Sequence, residues 1–105
     1  MEKVTLDTAI RTTQSSIGLL ERMSTGYKLL RNFGKYGELE RAEDDLKVVL
    51  AVLKGYREDV EKGKPQGAAR AALQEACASA AVDLKKLNLG LSGAYETLPE
   101  RLKLE

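Results

Sequence analysis

Apolar residues recur every three or four positions along three stretches of this 105-residue chain. A stripe of that period lies on one face of a helix and must be buried against another such face. Two glycine-containing segments, Asn32-Phe33-Gly34-Lys35-Tyr36-Gly37 and Lys62-Gly63-Lys64-Pro65-Gln66-Gly67, separate the stretches. The pattern predicts an all-α fold in a single domain spanning 1–105. We expect an antiparallel three-helix bundle with helices over about 6–33, 38–62 and 66–89 and a docked tail over 90–105. The alternative is a four-helix bundle in which Pro99 opens a short last helix at its first turn.

The first stripe reads Leu6, Ile10, Ile17, Leu20, Tyr27 and Leu30, widened by Leu19 and Met23, with Thr5 or Asp7 as its N-cap. Its other side carries small residues, Thr8, Thr12, Ser15, Ser16, Gly18, Thr25 and Gly26, where long charged side chains are usual on a surface helix. Two readings stand. The helix is locally weak or kinked near Gly26, or the small face lets another helix approach closely.

The second stripe is Leu39, Ala42, Leu46, Val49, Leu50, Leu53, Tyr56 and Val60. Glu38, Glu40, Glu43, Asp44 and Asp45 crowd its expected start, where the helix dipole favours anions. Glu43 with Lys47, Lys54 with Glu58, Arg57 with Glu61 and Glu58 with Lys62 are spaced to pair on the outer face. The run from Val48 to Leu53 is apolar nearly all round, which predicts a central helix touching two neighbours. Gly63 and Pro65 end it. The third stripe, Ala69, Leu73, Ala76, Cys77, Ala80, Leu84 and Leu87, is alanine-rich and stops before Gly90.

The chain has no histidine and a single cysteine. That removes Ser-His-Asp and Cys-His nucleophile pairs and the commonest metal ligand. Cys77 falls on an apolar stripe, as expected of an inert small core residue. Glu40 and Asp44 share a face with Glu43 at its edge, yet one helix face offers fewer oxygens than a hard cation takes. No phosphate loop, zinc spacing or dinucleotide fingerprint is present, so we expect no catalytic residue, cofactor, metal or small-molecule substrate. Seventeen basic and sixteen acidic residues nearly cancel. No membrane span or signal-peptide core is visible, and the expected location is cytoplasmic.

One segment departs from that balance. Arg22, Lys28, Arg31 and Lys35 lie in a stretch without an acid, interleaved with Tyr27, Phe33 and Tyr36. Cations near a helix C-terminus suit the dipole, and cations beside aromatic rings also suit anionic lipid or single-stranded nucleic acid. The pattern Leu73-x3-Cys77-x6-Leu84-x2-Leu87, after an amphipathic helix and a Gly/Pro break, resembles the HeLo-like helical N-terminal domains of fungal nucleotide-binding oligomerisation receptors. The resemblance spans 17–91. It implies a bundle that oligomerises in cell-death signalling and engages membrane through an N-terminal helix. The N-terminus here is instead polar and threonine-rich.

The leading expectation is a non-enzymatic module for protein–protein contact or self-association, through Ser15, Gly18 and Thr25 on the small face. The alternatives are a HeLo-like membrane-targeting domain, or an anionic-surface binder, of membrane or nucleic acid, using Arg22, Lys28, Arg31, Lys35 and Tyr36.

Overall fold

A computed structural model describes residues 3–102. Four helices account for most of them: α1 (Leu6–Leu29), α2 (Phe33–Glu61), α3 (Gly67–Leu87) and α4 (Ser92–Arg101). Among the described residues there is no strand, only an isolated bridge between Val4 and Leu102. Consecutive helices pack together, α1 on α2, α2 on α3 and α3 on α4. The molecule measures 48 × 25 × 19 Å.

Helix α2 is the shared element. Leu39, Leu46, Val49 and Leu53 are fully buried along it, Leu20 meets this core from α1, and Leu73 and Leu84 meet it from α3. Covering one such side chain contributes about 1.5–3 kcal/mol, and both α1 and α3 pack on α2 to do so. Its run of apolar residues is not buried all round, however. Val48 is 53% exposed.

The sequence places the first break too late. The glycines at 34 and 37 lie inside α2, which starts at Phe33 with Asn32 as its N-cap, the Asn32 side chain accepting from the Lys35 backbone N–H at 3.2 Å. The true break is the turn Leu30-Arg31-Asn32. Because α2 starts early, no acid stands in its first turn, and the dipole account of Glu43, Asp44 and Asp45 does not hold. Leu30, assigned to the first stripe, lies beyond α1 and is 77% exposed. The expected pairs Glu43–Lys47 and Glu58–Lys62 form at 3.2 and 2.6 Å. Arg57 reaches instead across to Asp7 on α1, at 3.1 Å.

The tail is helical from Ser92, so the fourth helix begins well before Pro99, which sits in its last turn. Tyr95 and Leu98 enter the core from α4. The Tyr95 hydroxyl donates to Thr13 Oγ1 at 3.2 Å, and the Val4 N–H donates to the Arg101 carbonyl at 2.8 Å. These bonds tie α4 to the first half of α1 and to the residues just before it. Thr13, Ser16 and Ser24 are buried although none belongs to the apolar stripe. Ser24 satisfies its hydroxyl on the Glu21 carbonyl at 2.9 Å.

Helices α1 and α2 end in the same way. At α2, Gly63 takes φ 68°, Gly63 N–H donates to Val60 O, and Lys64 N–H donates back to Asp59 O at 2.9 Å. At α1, Arg31 takes φ 59°, Arg31 N–H donates to Lys28 O, and Asn32 N–H donates back to Tyr27 O at 2.9 Å. This is a Schellman closure, whose left-handed residue is usually glycine. A side chain there costs about 1–2 kcal/mol through the clash of Cβ with the following carbonyl. Arg31→Gly is therefore expected to stabilise the fold by about 1 kcal/mol. Urea unfolding measures this as a higher midpoint at unchanged slope.

Candidate functional site

Helix lengths create the most conspicuous surface. At about 1.5 Å per residue, α2 spans about 43 Å and α3 about 31 Å. The two helices meet at the α2–α3 turn, where the Tyr56 hydroxyl donates to Gln66 Oε1 at 3.3 Å. The opposite end of α2, with the end of α1, therefore projects beyond α3 by about two turns. On this projecting tip Leu29, Leu30 and Phe33 are 80, 77 and 63% exposed. Three large apolar side chains within five residues form a patch, unlike the scattered surface leucines that soluble proteins tolerate.

Two of the predicted basic residues, Lys28 and Arg31, stand beside it. Lys28 and Arg31 are exposed and belong to the tip itself. Lys28 Nζ sits 5.8 Å from the centre of the Tyr36 ring. Lys35 pairs with Glu38 at 3.6 Å, so its charge is partly answered. Tyr36 donates its hydroxyl to Glu40 Oε1 at 2.5 Å, and that bond raises the pKa of the phenol above its usual value. Tyr27 is half-buried against the core. Phe33 is thus the one well-exposed ring of the three interleaved with the cations.

Ser15, Gly18, Arg22 and Thr25 lie further down α1, from about four turns to about one turn before Leu29. Ser15, Arg22 and Thr25 are exposed, and Gly18 is half-buried. A Cβ at Gly18 would meet only the Arg22 guanidinium, at 3.8 Å, and one at Gly26 would meet nothing within 4 Å. No helix of this chain therefore presses on the small face at these glycines. Thr25 turns its hydroxyl onto the Glu21 carbonyl at 3.0 Å. Helix α1 runs unbroken through both glycines. Ser16 belongs to the core instead.

Sequence reasoning missed two features that depend on how helices face one another. One is the Leu29–Phe33 patch, because Leu30 was counted as core and Phe33 as loop. The other is a carboxyl pair between α2 and α3. Asp45 Oδ2 is buried without a hydrogen-bond donor. It faces Asp83, whose own carboxylate is 3.7 Å from Lys86 Nζ. Burial first, then the hydrogen bond and charge of Asp83, raise Asp45 to about 6. Two acceptors in contact need a proton between them, which explains the orphaned oxygen.

The remaining acids and the thiol are otherwise engaged. Glu43 is buried and paired with Lys47, and Glu40 accepts from Tyr36. Among the described residues no three histidine, cysteine or acidic side chains are placed to hold a metal ion. Cys77 is buried, and burial pushes its thiol up to about 12.

The Asp45–Asp83 contact sets a pH dependence. Asp45 titrates near 6 in the fold and near 3.8 without its surroundings. The folded chain then binds more protons between those values, so stability falls as pH rises from about 4 to about 6 and is level above. Asp45→Asn supplies an N–H for Asp83 and removes the repulsion. It is expected to be more stable than the parent by about 1 kcal/mol at pH 7.5, the full shift being discounted for a half-exposed group. At pH 4 the difference should vanish. Thermal unfolding across this range measures both.

No described helix is long and apolar enough to cross a membrane. Comparison with protein families, curated sequences and solved structures returned no match.

Proposed function

We propose that this protein is a non-enzymatic helical module that attaches reversibly to an anionic lipid surface through the α1–α2 tip. One observation carries the reading. Leu29, Leu30 and Phe33 stand exposed on a projecting turn, with Lys28 and Arg31 beside them. An apolar tip flanked by two cations fits the boundary between lipid headgroups and acyl chains. Each buried apolar side chain contributes at most about 1.5–3 kcal/mol, and each cation near anionic lipid about 1 kcal/mol. The total supports adsorption, not insertion.

The chemistry favours lipid over nucleic acid. Stacking on bases needs free rings, but Tyr36 is tied to Glu40 and Tyr27 leans on the core. Two exposed leucines offer a phosphate nothing. The residue at the turn adds support, because Arg31 occupies a conformation where glycine is easier, and such strain tends to persist where a side chain has a role. HeLo-like domains engage membrane by an N-terminal helix, whereas the contact proposed here is the turn after α1. We also read α4 as completing a four-helix bundle, supported by the Tyr95–Thr13 hydrogen bond.

Co-sedimentation with vesicles tests the reading. Binding is expected to phosphatidylserine-containing vesicles, to decline steeply with salt, and to be slight on phosphatidylcholine alone. Leu30→Ser and Phe33→Ser, both on exposed positions, should each weaken binding about tenfold. Arg31→Gly should weaken it about fivefold while the fold gains stability. Failure of the parent chain to sediment with anionic vesicles at low salt overturns the proposal.

A second reading, self-association through the outer face of α1, has its own observation. Leu19 is 38% exposed beside Ser15 and Gly18, with only the Arg22 guanidinium near the glycine. Ser15→Glu and Gly18→Glu should then convert an oligomer to monomer by light scattering while helicity persists. A parent chain that is monomeric at every concentration removes this reading.

A further inference from the structure

Helices α2 and α3 leave a furrow of about 380 Å³ between them. Its cause is in the sequence. Ala72, Ala76 and Ser79 follow the helical period along α3, and side chains so short leave the facing valines of α2 uncovered. Val48 is 53% exposed and Val52 is half-buried, so the floor of the furrow is apolar and open to water.

Its charge has one sign. Asp45 and Glu75 are the charged residues that line it, with no cation among them. Asp83 lies one turn beyond Ser79, where it faces Asp45 and has Lys86 at 3.7 Å. Asp45 titrates near 6 and is ionised at pH 7.5.

The α1–α2 tip has the opposite character. Leu29, Leu30 and Phe33 stand exposed there, with Lys28 and Arg31 beside them. Apolar side chains match the floor of the furrow, and cations match its acids. A molecule cannot fill its own furrow with its own tip. Helix α2 is continuous from Phe33 to Glu61 and holds Phe33 about 22 Å from Val48 along its axis. Only a second copy can bring the two together.

We propose that the tip of one molecule docks in the α2–α3 furrow of another, its leucines and Phe33 against Val48 and Val52 and its cations toward Asp45 and Glu75. Tip and furrow are different surfaces, so the contact is heterologous. Each added molecule presents a new tip and a new furrow, and assembly runs past the dimer unless a ring closes. A contact this small is weak and reversible. A docked tip is withheld from lipid, so assembly and attachment compete for it. The proposal uses the exposure of the tip and does not rest on the lipid reading.

The test is light scattering on variants that each lose one surface. Leu30→Glu disables the tip, and Val48→Lys sets a cation in the furrow. Both positions are exposed, so circular dichroism should match the parent. The parent's mass is expected to rise with concentration past twice the 11.5 kDa of one chain, and less so as salt increases. Each variant alone should assemble at least tenfold more weakly. An equimolar mixture of the two should form a 1:1 dimer and nothing larger, because one molecule supplies only a furrow and the other only a tip. Where either variant loses helicity, Phe33→Ser and Glu75→Lys take their places. A parent that is monomeric at every concentration, a variant that assembles like the parent, or a mixture that stays monomeric would overturn the proposal. No lipid enters this test, so its failure and that of the lipid reading are told apart.

Discussion

Everything in this fold depends on α2 being covered from two sides. Leu39, Leu46, Val49 and Leu53 are completely withdrawn from water, and with Ala42, Glu43 and Tyr56 they form a buried face on α2 broader than the seam one neighbouring helix covers. Helices α1 and α3 both pack on this face of α2 and not on each other. That leaves a gap between their outer sides. The short α4 occupies it against α3, and its Tyr95 reaches Thr13 on α1. A buried hydroxyl pair across a gap fixes position more than it adds stability, since a net hydrogen bond contributes only about 1 kcal/mol.

The same arrangement dictates where the molecule is left incomplete. Helix α3 is eight residues shorter than α2, 21 against 29, so the start of α2 and the end of α1 have only each other. An apolar residue placed there has no core to enter. Leu29, Leu30 and Phe33 are exposed for that reason, next to the cations Lys28 and Arg31. Arg31 sharpens the point. Gly63 closes α2 with the identical hydrogen-bond pattern at no steric cost, whereas α1 closes on an arginine. A chain selected for stability alone would use glycine at both.

Much of this was legible from spacing alone. The α2 and α3 stripes gave nearly the whole buried set on those helices, because each apolar position repeats with the helical period and Gly63 ends α2 where expected. Errors arose where a residue type had two meanings. Gly34 and Gly37 looked like a break but were absorbed into α2, since Asn32 supplies a cap just ahead of them and tertiary packing outweighs about 1 kcal/mol per glycine. The first stripe was extended through Leu30 because periodicity does not reveal that a left-handed residue follows. Ser92-Gly93-Ala94 looked flexible and is helical, held by Tyr95 and Leu98 in the core. The basic residues were found by composition, but their leucine companions needed the three-dimensional overhang to be seen. The Asp45–Asp83 contact and the α2–α3 furrow lie between helices, and no pattern within one helix carries the register between two.

Both proposed contacts of the tip require it to stay extended. Phe33 and Val48 lie about 22 Å apart along α2, more than twice the screening length of about 8 Å at physiological salt, so the acids of a molecule's own furrow do not draw its tip back. Retracting the tip requires α1 to slide on α2. Thr13 is fully buried in the first half of α1, Leu20 at the middle, and Ser24 just below the tip. Helix α1 is thus seated on α2 along most of its length and behaves as a rigid strut with little freedom to slide.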